Sequence, residues 1–289
     1  NYDLIGATNT MGIGGESTKY GNVAKMKSNG VELSLNTVNI KTKDFTWSTD
    51  LIYSHMHNEV TELNTYNRLY DYISGYGFTM PGYPQRSLFS IPFAGLNNEG
   101  LPTFYDPDGN ITVTGIDMQE YDPERLKFLK YEGPADPTDV GSFGNILRYK
   151  NLTLNLFVTY SFGNVVRLDP VFSSSYSDLS ATPKEFNNRW IKPGDEKFTN
   201  VPVIASKQQL KNIADLDKAY QAYNYSTARV AKGDFIRMKE ISLAYEFPKT
   251  ITQALNIANL SLKLQATNLF LIYADKKLNG QDPEFFNAG

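Results

Sequence analysis

The sequence predicts an all-β fold: an antiparallel transmembrane β-barrel that sends long loops out at one end. Three observations predict it. Apolar and polar residues alternate along several segments, short and long connections alternate between those segments, and aromatic residues collect near the segment ends.

The segments are taken in order. The strand expected over 24–37 carries Val31-Glu32-Leu33-Ser34-Leu35-Asn36. In the next, 44–62, Phe45, Trp47, Leu51 and Tyr53 hold odd positions, while Thr46, Ser48 and Asp50 hold even ones. Strand 143–150 turns tightly into 151–168, where Leu152, Leu154, Leu156, Val158, Tyr160 and Phe162 face one way. Thr153, Asn155, Thr159 and Ser161 face the other. Segment 229–248 brings Ile241, Leu243 and Tyr245, and segment 258–275 brings Leu260, Leu262 and Leu264. Successive side chains of a strand point to opposite faces, so a period of two gives one apolar and one polar face. An ordinary half-buried sheet would share that pattern.

The connections separate the two cases. Gaps 38–43 and 249–257 are short and 150–151 is a tight turn, whereas 63–142 and 169–228 are long; a longer loop is also expected before 24. Structureless loops above about 15 residues are uncommon in compact domains. Membrane barrels place short turns at one end and long loops at the other. Phe45 and Trp47 follow a short turn, Tyr245 and Phe247 precede one, and Tyr53, Tyr160 and Phe162 lie toward the long loops. Two aromatic bands are expected where amphipathic rings meet headgroups. Outer-membrane lipid is therefore expected against Leu33, Leu35, Trp47, Leu51, Leu154, Leu156, Val158, Leu243, Leu260, Leu262 and Leu264, with Leu262 at mid-membrane. The lumen is expected against Glu32, Asp50, Asn155, Glu246, Lys263 and Gln265.

Composition is consistent with this and excludes other classes. The 289 residues hold 28 Lys+Arg against 31 Asp+Glu, a net charge of −3, which argues against a nucleic-acid partner. With 41% hydrophobic residues the chain is not disordered. It has no Cys, hence no disulfide framework, no Cys-ligated zinc and no thiol nucleophile. Mean hydropathy is −0.39, and no apolar run is long enough for a membrane helix. A strand barrel averages to such a value because its two faces cancel. No charged segment followed by an apolar one marks a signal peptide. Asn1 to Ile5 reads as the end of a strand and Asn287-Ala288-Gly289 as loop, so both ends are expected to be cut from a longer protein.

Few residues suggest chemistry. His55 and His57 share a strand face and could ligate a metal, but they read better as polar residues above the membrane band. Asp106, Asp108 and Asn110 echo the start of a calcium loop, yet Gly109 falls at the fourth position, and a hairpin turn is the better reading. No nucleophile elbow and no phosphate-cradling loop occur. No catalytic residue, no metal site, no cofactor and no enzymatic activity are expected. Leu210, Ile213, Leu216, Tyr220 and Tyr223 fall at helical spacing in a helix over 206–223, packed on its own loop. Loop 66–93 is dense in rings. Tyr70, Tyr72, Tyr76, Phe78 and Tyr83, with Trp190 from the second long loop, are the candidate ligand-contacting residues. Such rings offer flat apolar platforms with a polar handle, suited to sugar rings or peptide side chains. They serve equally to hold a long loop together.

Several stretches, taken in order, resemble one family. Lys25-Met26-Lys27-Ser28-Asn29 leading into Gly30-Val31-Glu32-Leu33, and Arg148-Tyr149-Lys150 before the 152–163 strand, resemble strand starts of SusC/RagA-type TonB-dependent outer-membrane transporters. Arg189-Trp190 with Pro193-Gly194-Asp195, Gly233-Asp234-Phe235-Ile236-Arg237-Met238-Lys239, Gln265-Ala266-Thr267-Asn268-Leu269-Phe270 and Asn279-Gly280-Gln281-Asp282-Pro283-Glu284 extend the likeness over nearly the whole chain. The resemblance implies a plugged barrel of about 22 strands in the outer membrane of a Gram-negative bacterium. This chain, 1–289, would be the C-terminal portion of that barrel, lacking the plug, the first barrel half and the last strand. It implies nutrient uptake of oligosaccharides or peptides, a SusD-like surface lipoprotein as lid, and TonB-ExbB-ExbD acting through the absent plug region. Without the resemblance, a soluble secreted β-sandwich acting as a carbohydrate-binding module is the alternative. A β-rich glycoside hydrolase is a distant third.

Overall fold

A computed structural model describes residues 4–9, 18–63, 67–74, 77–172 and 184–284. Seven antiparallel strands form one sheet in sequence order: β1 Leu4–Asn9, β2 Thr18–Lys41, β3 Phe45–Leu63, β4 Asp139–Tyr149, β5 Leu152–Phe162, β6 Phe235–Glu246 and β7 Ser261–Ala274. Each strand pairs with the next, as in an up-and-down barrel wall. Strand β2 begins at Thr18 and pairs with β1, where a longer loop had been expected. At about 3.3 Å per residue, the 24 residues of β2 and the 19 of β3 run far past a membrane.

Register confirms that the predicted apolar residues within the strands share one face; Leu260 lies just before β7 and outside the pairing. Trp47, Leu147, Leu154, Leu243 and Leu264 stand directly opposite one another across five strands. Leu35, Leu51, Phe143, Val158 and Met238 form a second such row nearer the long loops. This face lies open: Leu264 is 64% exposed, and Val31, Leu33, Phe143 and Leu262 are exposed as well. Among the described residues no second sheet covers it, so the fold is not a sandwich. Tyr149, Leu152, Tyr245 and Leu262 form its row at the short-turn end. Tyr53, Tyr160, Phe162 and Tyr273 lie toward the other end. The opposite face holds Glu32, Asp50, Asn155, Glu240, Lys263 and Gln265, with Asn155 Nδ2 donating to Glu240 at 3.3 Å.

Two expected strands are shorter than predicted. Residues 151–168 and 229–248 do not continue as one hairpin; β5 stops at Phe162, and Val165–Arg167 pairs separately with Val230–Lys232. The break is chemical. Gly163 has φ 86 and donates its N–H to the Asp234 carboxylate at 2.7 Å, and Gly233 lies against Asn164. Asn268, at φ 51, marks a comparable irregularity in β7, a conformation Asn tolerates better than most residues.

The hydrophobic core is not in the sheet. It is built by the described residues of the two long loops, 67–74, 77–138, 163–172 and 184–234, which fold together into a dome. Leu69, Ile73, Ile91, Leu101, Phe104, Val171, Leu216, Ala222 and Tyr223 are its most buried members. Each large apolar side chain so buried contributes about 1.5–3 kcal/mol. The helix expected over 206–223 is two helices, Lys207–Asn212 and Leu216–Asn224, broken where Asp215 takes φ 59. Ser206 caps the first through a capping box. The second packs Leu216, Ala219, Tyr220, Ala222 and Tyr223 into the dome, as expected of Leu216, Tyr220 and Tyr223, whereas the first buries no residue and leaves Leu210 exposed. Asp106 accepts from the N–H groups of Asp108 and Asn110, closing the hairpin between Pro102–Tyr105 and Ile111–Thr112. That is the turn reading, not the calcium one. The connection 249–257 contains a further short helix, Lys249–Ala254.

Candidate functional site

Three of the six candidate aromatics come together. Tyr72 lies 4.8 Å from Phe78 (ring centroids) and edge-on to Phe89 at 5.9 Å. Tyr83 meets Phe89 at 5.3 Å and Tyr131 at 4.7 Å. These five rings form one half-buried cluster. Burial pushes the Tyr72 and Tyr131 hydroxyls above their ordinary pKa. Tyr70 is turned away to an edge-on contact with Tyr225 at 5.9 Å. Trp190 is buried in the second long loop, with its indole N–H on Glu196 Oε2 at 3.0 Å. Tyr76 lies outside the described residues.

Sequence reasoning omitted Tyr131 and Tyr225 because neither lies in the ring-rich loop. Tyr131 enters through the pairing of Lys130–Pro134 with Ser87–Ser90. Phe89 was visible among the loop's rings but not singled out. It is the buried hub of the cluster, 3% exposed.

Arg167 was also missed, and it organises the dome. Its guanidinium donates to Ser90 Oγ (2.9 Å) and to the carbonyls of Phe89 (2.6 Å), Ile73 (3.3 Å) and Ser226 (3.3 Å). The first three partners come from one long loop and Ser226 from the other. Burial lowers its pKa from 12.5 to about 10, so it stays charged at neutral pH. A second buried arginine, Arg229, donates to Glu185 and to the Asp169 carbonyl. Nothing in the alternation pattern announces either arginine.

The segment after β7 closes the assembly. Leu278 is buried with Val166, Leu168 and Ala231. The Gln281 side chain accepts from Asp169 N–H (2.8 Å) and donates to the Arg167 carbonyl (3.0 Å). Asp282 and Glu284 then reach Arg237 of β6 at 2.5 and 2.9 Å. The dome is thereby tied to the inner face of the wall.

Burial of Tyr223 and of Tyr225 pushes both hydroxyls up to about 12. A raised tyrosine pKa favours the fold while the hydroxyl stays protonated. That contribution is whole below pH 10 and fades as pH rises toward 12, by about 1–3 kcal/mol for the more buried Tyr223. Phenolate absorbance of the folded protein should therefore show a late wave near pH 12, reduced in Tyr223→Phe. A single wave at pH 10 would contradict the burial.

Gly100 gives a second test. It has φ 76, and a Cβ there would collide with the Trp190 ring. Gly100→Ala should destabilise the dome by about 1–3 kcal/mol, read as a lower melting temperature.

The polar residues near the outer face are satisfied structurally. His55 pairs with Asp139 at 2.9 Å, and Tyr53 O–H donates to the same carboxylate at 2.8 Å. His57 is exposed on the next outward position. Among the described residues no group of three His, Asp or Glu could hold a metal ion. The arrangement can offer rings and hydroxyls to a ligand.

A strand wall with one apolar and one polar face, carrying a loop-built dome at one end, is the construction of part of a membrane β-barrel. Over 93% of its length the chain is 25% identical to TonB-dependent receptor P3 of Formosa agariphila, of which it spans 26%. It is 26% identical over 91% of its length to the TonB-dependent receptor SusC of Bacteroides thetaiotaomicron, spanning 24% of it. No protein-family model matches the sequence. The whole chain superposes on 29% of one chain of the RagAB peptide transporter, with TM-score 0.68 and 23% identity. Against the RagAB peptide importer in its closed-closed state the TM-score is 0.65. The chain is a homologue of the SusC/RagA-type TonB-dependent receptors, an outer-membrane protein with their barrel fold, spanning about a quarter of the length of the curated relatives it matches.

Proposed function

We propose that residues 1–289 supply the C-terminal wall and extracellular dome of a TonB-dependent importer of SusC type. The observation that carries this reading is the open apolar face of the sheet, on a chain homologous to such receptors along nearly its whole length. Substrate would be an oligosaccharide or a peptide, held by the rings of Tyr72, Phe78 and Tyr83, with Tyr70, Tyr76 and Trp190 as further loop aromatics. A SusD-like surface lipoprotein would close over the dome. TonB-ExbB-ExbD would act through a plug region that the wall surrounds. In this reading the protein binds and passes its substrate unchanged.

The test uses the full-length transporter in its membrane. Tyr72→Ala combined with Tyr83→Ala should weaken uptake of the cognate oligosaccharide or peptide at least tenfold, while surface expression is kept. Unchanged uptake would remove the ring cluster from the substrate path. Loss of TonB without loss of uptake would overturn the transporter reading itself.

A further inference from the structure

The outward face of the wall carries a histidine whose orientation is fixed from one side. Alternate positions of β3 place Tyr53, His55 and His57 on that face. Tyr53 belongs to the row that continues through Gly141, Tyr160, Ile236 and Tyr273. Rings of such a row mark the outer headgroup level, so the two imidazoles stand just beyond it. Strand β3 lies inside the sheet, between β2 and β4. Further wall would join beside β1 and β7, and a plug would lie behind the polar face, so neither comes over this face of β3.

Asp139 sets the chemistry of His55. Its Oδ1 accepts from Tyr53 O–H at 2.8 Å and meets His55 Nδ1 at 2.9 Å, while its Oδ2 accepts from Thr138 Oγ1 at 2.7 Å. An ionised carboxylate only accepts, so the proton of a neutral His55 sits on Nδ1 and Nε2 presents a lone pair. That nitrogen meets no partner among the described residues. His57 is exposed and makes no hydrogen bond or ion pair among them either. A carboxylate on the far ring nitrogen is the arrangement that orients ligating histidines and raises their basicity. Spacing alone favours plain polar surface residues here; the Asp139 contact is what marks His55 as a ligand.

We propose that His55 and His57 form a two-imidazole site for a divalent transition ion of the zinc or copper class, with Asp139 as the residue that positions His55. Side chains two apart on a strand stand side by side on one face, and imidazole suits these ions, whereas calcium and magnesium prefer oxygen ligands. Among the described residues no group of three His, Asp or Glu could hold a metal ion, so water fills the remaining positions. The site is therefore open and exchangeable. It depends on the facing of the wall and not on what the importer carries.

The test uses the full-length transporter in detergent, without a histidine tag, and Zn2+ as the probe. Equilibrium dialysis should count one ion more in the unsubstituted protein than in His55→Gln, and one more than in His57→Gln. Asp139→Asn keeps both imidazoles and should bind that ion at least tenfold more weakly. With Cu2+ in place of Zn2+, electron paramagnetic resonance should show couplings from two nitrogens in the unsubstituted protein and in Asp139→Asn, and from one in either histidine variant. His57 touches no described partner, so its substitution keeps the test decisive even where a change at Asp139 disturbs the rim. Equal ion counts in the unsubstituted protein and both histidine variants would overturn the proposal. So would loss of the ion in one histidine variant alone, which would mean an adventitious ion on a single imidazole. Asp139→Asn binding as tightly as the unsubstituted protein would overturn the positioning role.

Discussion

Val158→Arg is expected to destabilise the wall in lipid by about 2–4 kcal/mol, and Lys263→Ser by a few tenths at most. Val158 stands between Phe143 and Met238 on the open apolar face, midway along β5. An arginine there would face hydrocarbon. Lys263 lies on the opposite face, 4.0 Å from Glu240, where water and polar groups accept a hydroxyl equally well. The contrast has a third arm. Sequence reading alone places Leu262 at mid-membrane, but register sets it opposite Tyr245, in the row nearest the short turns. Leu262→Arg should then cost only about 0–1 kcal/mol, because the long side chain reaches the headgroups. Equilibrium folding into vesicles measures all three. Equal costs at 158 and 263 would mean that the two faces are misassigned; a cost at 262 matching that at 158 would mean that the depth is.

Arg167→Met should destabilise the dome by about 3–5 kcal/mol while leaving the wall folded. The substitution keeps most of the volume but removes every donor. The carbonyls of Phe89, Ile73 and Ser226 then lose their partner in a buried place. Each unsatisfied group costs about 1–3 kcal/mol, and the effects overlap because the same atoms can shift together. Limited proteolysis reads the dome, through cleavage within 64–138 and 163–234. Heat-modifiable migration reads the wall. A dome as resistant as the unsubstituted protein would show that its rings, rather than this guanidinium, hold the two loops together. Lysine at the same position should rescue poorly, since a single ammonium cannot reach four acceptors in a plane.

The wall could be read from the sequence because its determinants are local. Leu154 and Leu156 announce their face by spacing alone, and Lys150-Asn151 announce the turn between β4 and β5. Strand ends were less legible: Gly163 and Asp234 stop a hairpin that alternation would have continued. The dome was hardly legible. Its core joins Phe104 to Tyr223 and Leu69 to Leu216, residues far apart in the chain with no shared period. The helix over 206–223 was foreseen in place, and in buried face for Leu216, Tyr220 and Tyr223 but not for the exposed Leu210; Asp215 breaks it by adopting a left-handed backbone that composition does not advertise. Of the candidate rings, Tyr72, Phe78 and Tyr83 converge. Trp190 lies apart from them, buried against Gly100 with its indole on Glu196, a position that its neighbours Arg189 and Ile191 do not announce.

The strap formed by Leu278, Gln281, Asp282 and Glu284 also bears on the order of folding. Every other described part of the dome precedes it in sequence, yet it supplies the last apolar plug and both carboxylates on Arg237. A ribosome releases residues 64–234 well before these arrive. Until then the dome is fastened only through contacts such as Val60 with Gly82 and Tyr83, and Arg237 has no counter-charge from this segment. The contacts of these four residues with the dome and with Arg237 are therefore the last of those described to become available as the chain is made.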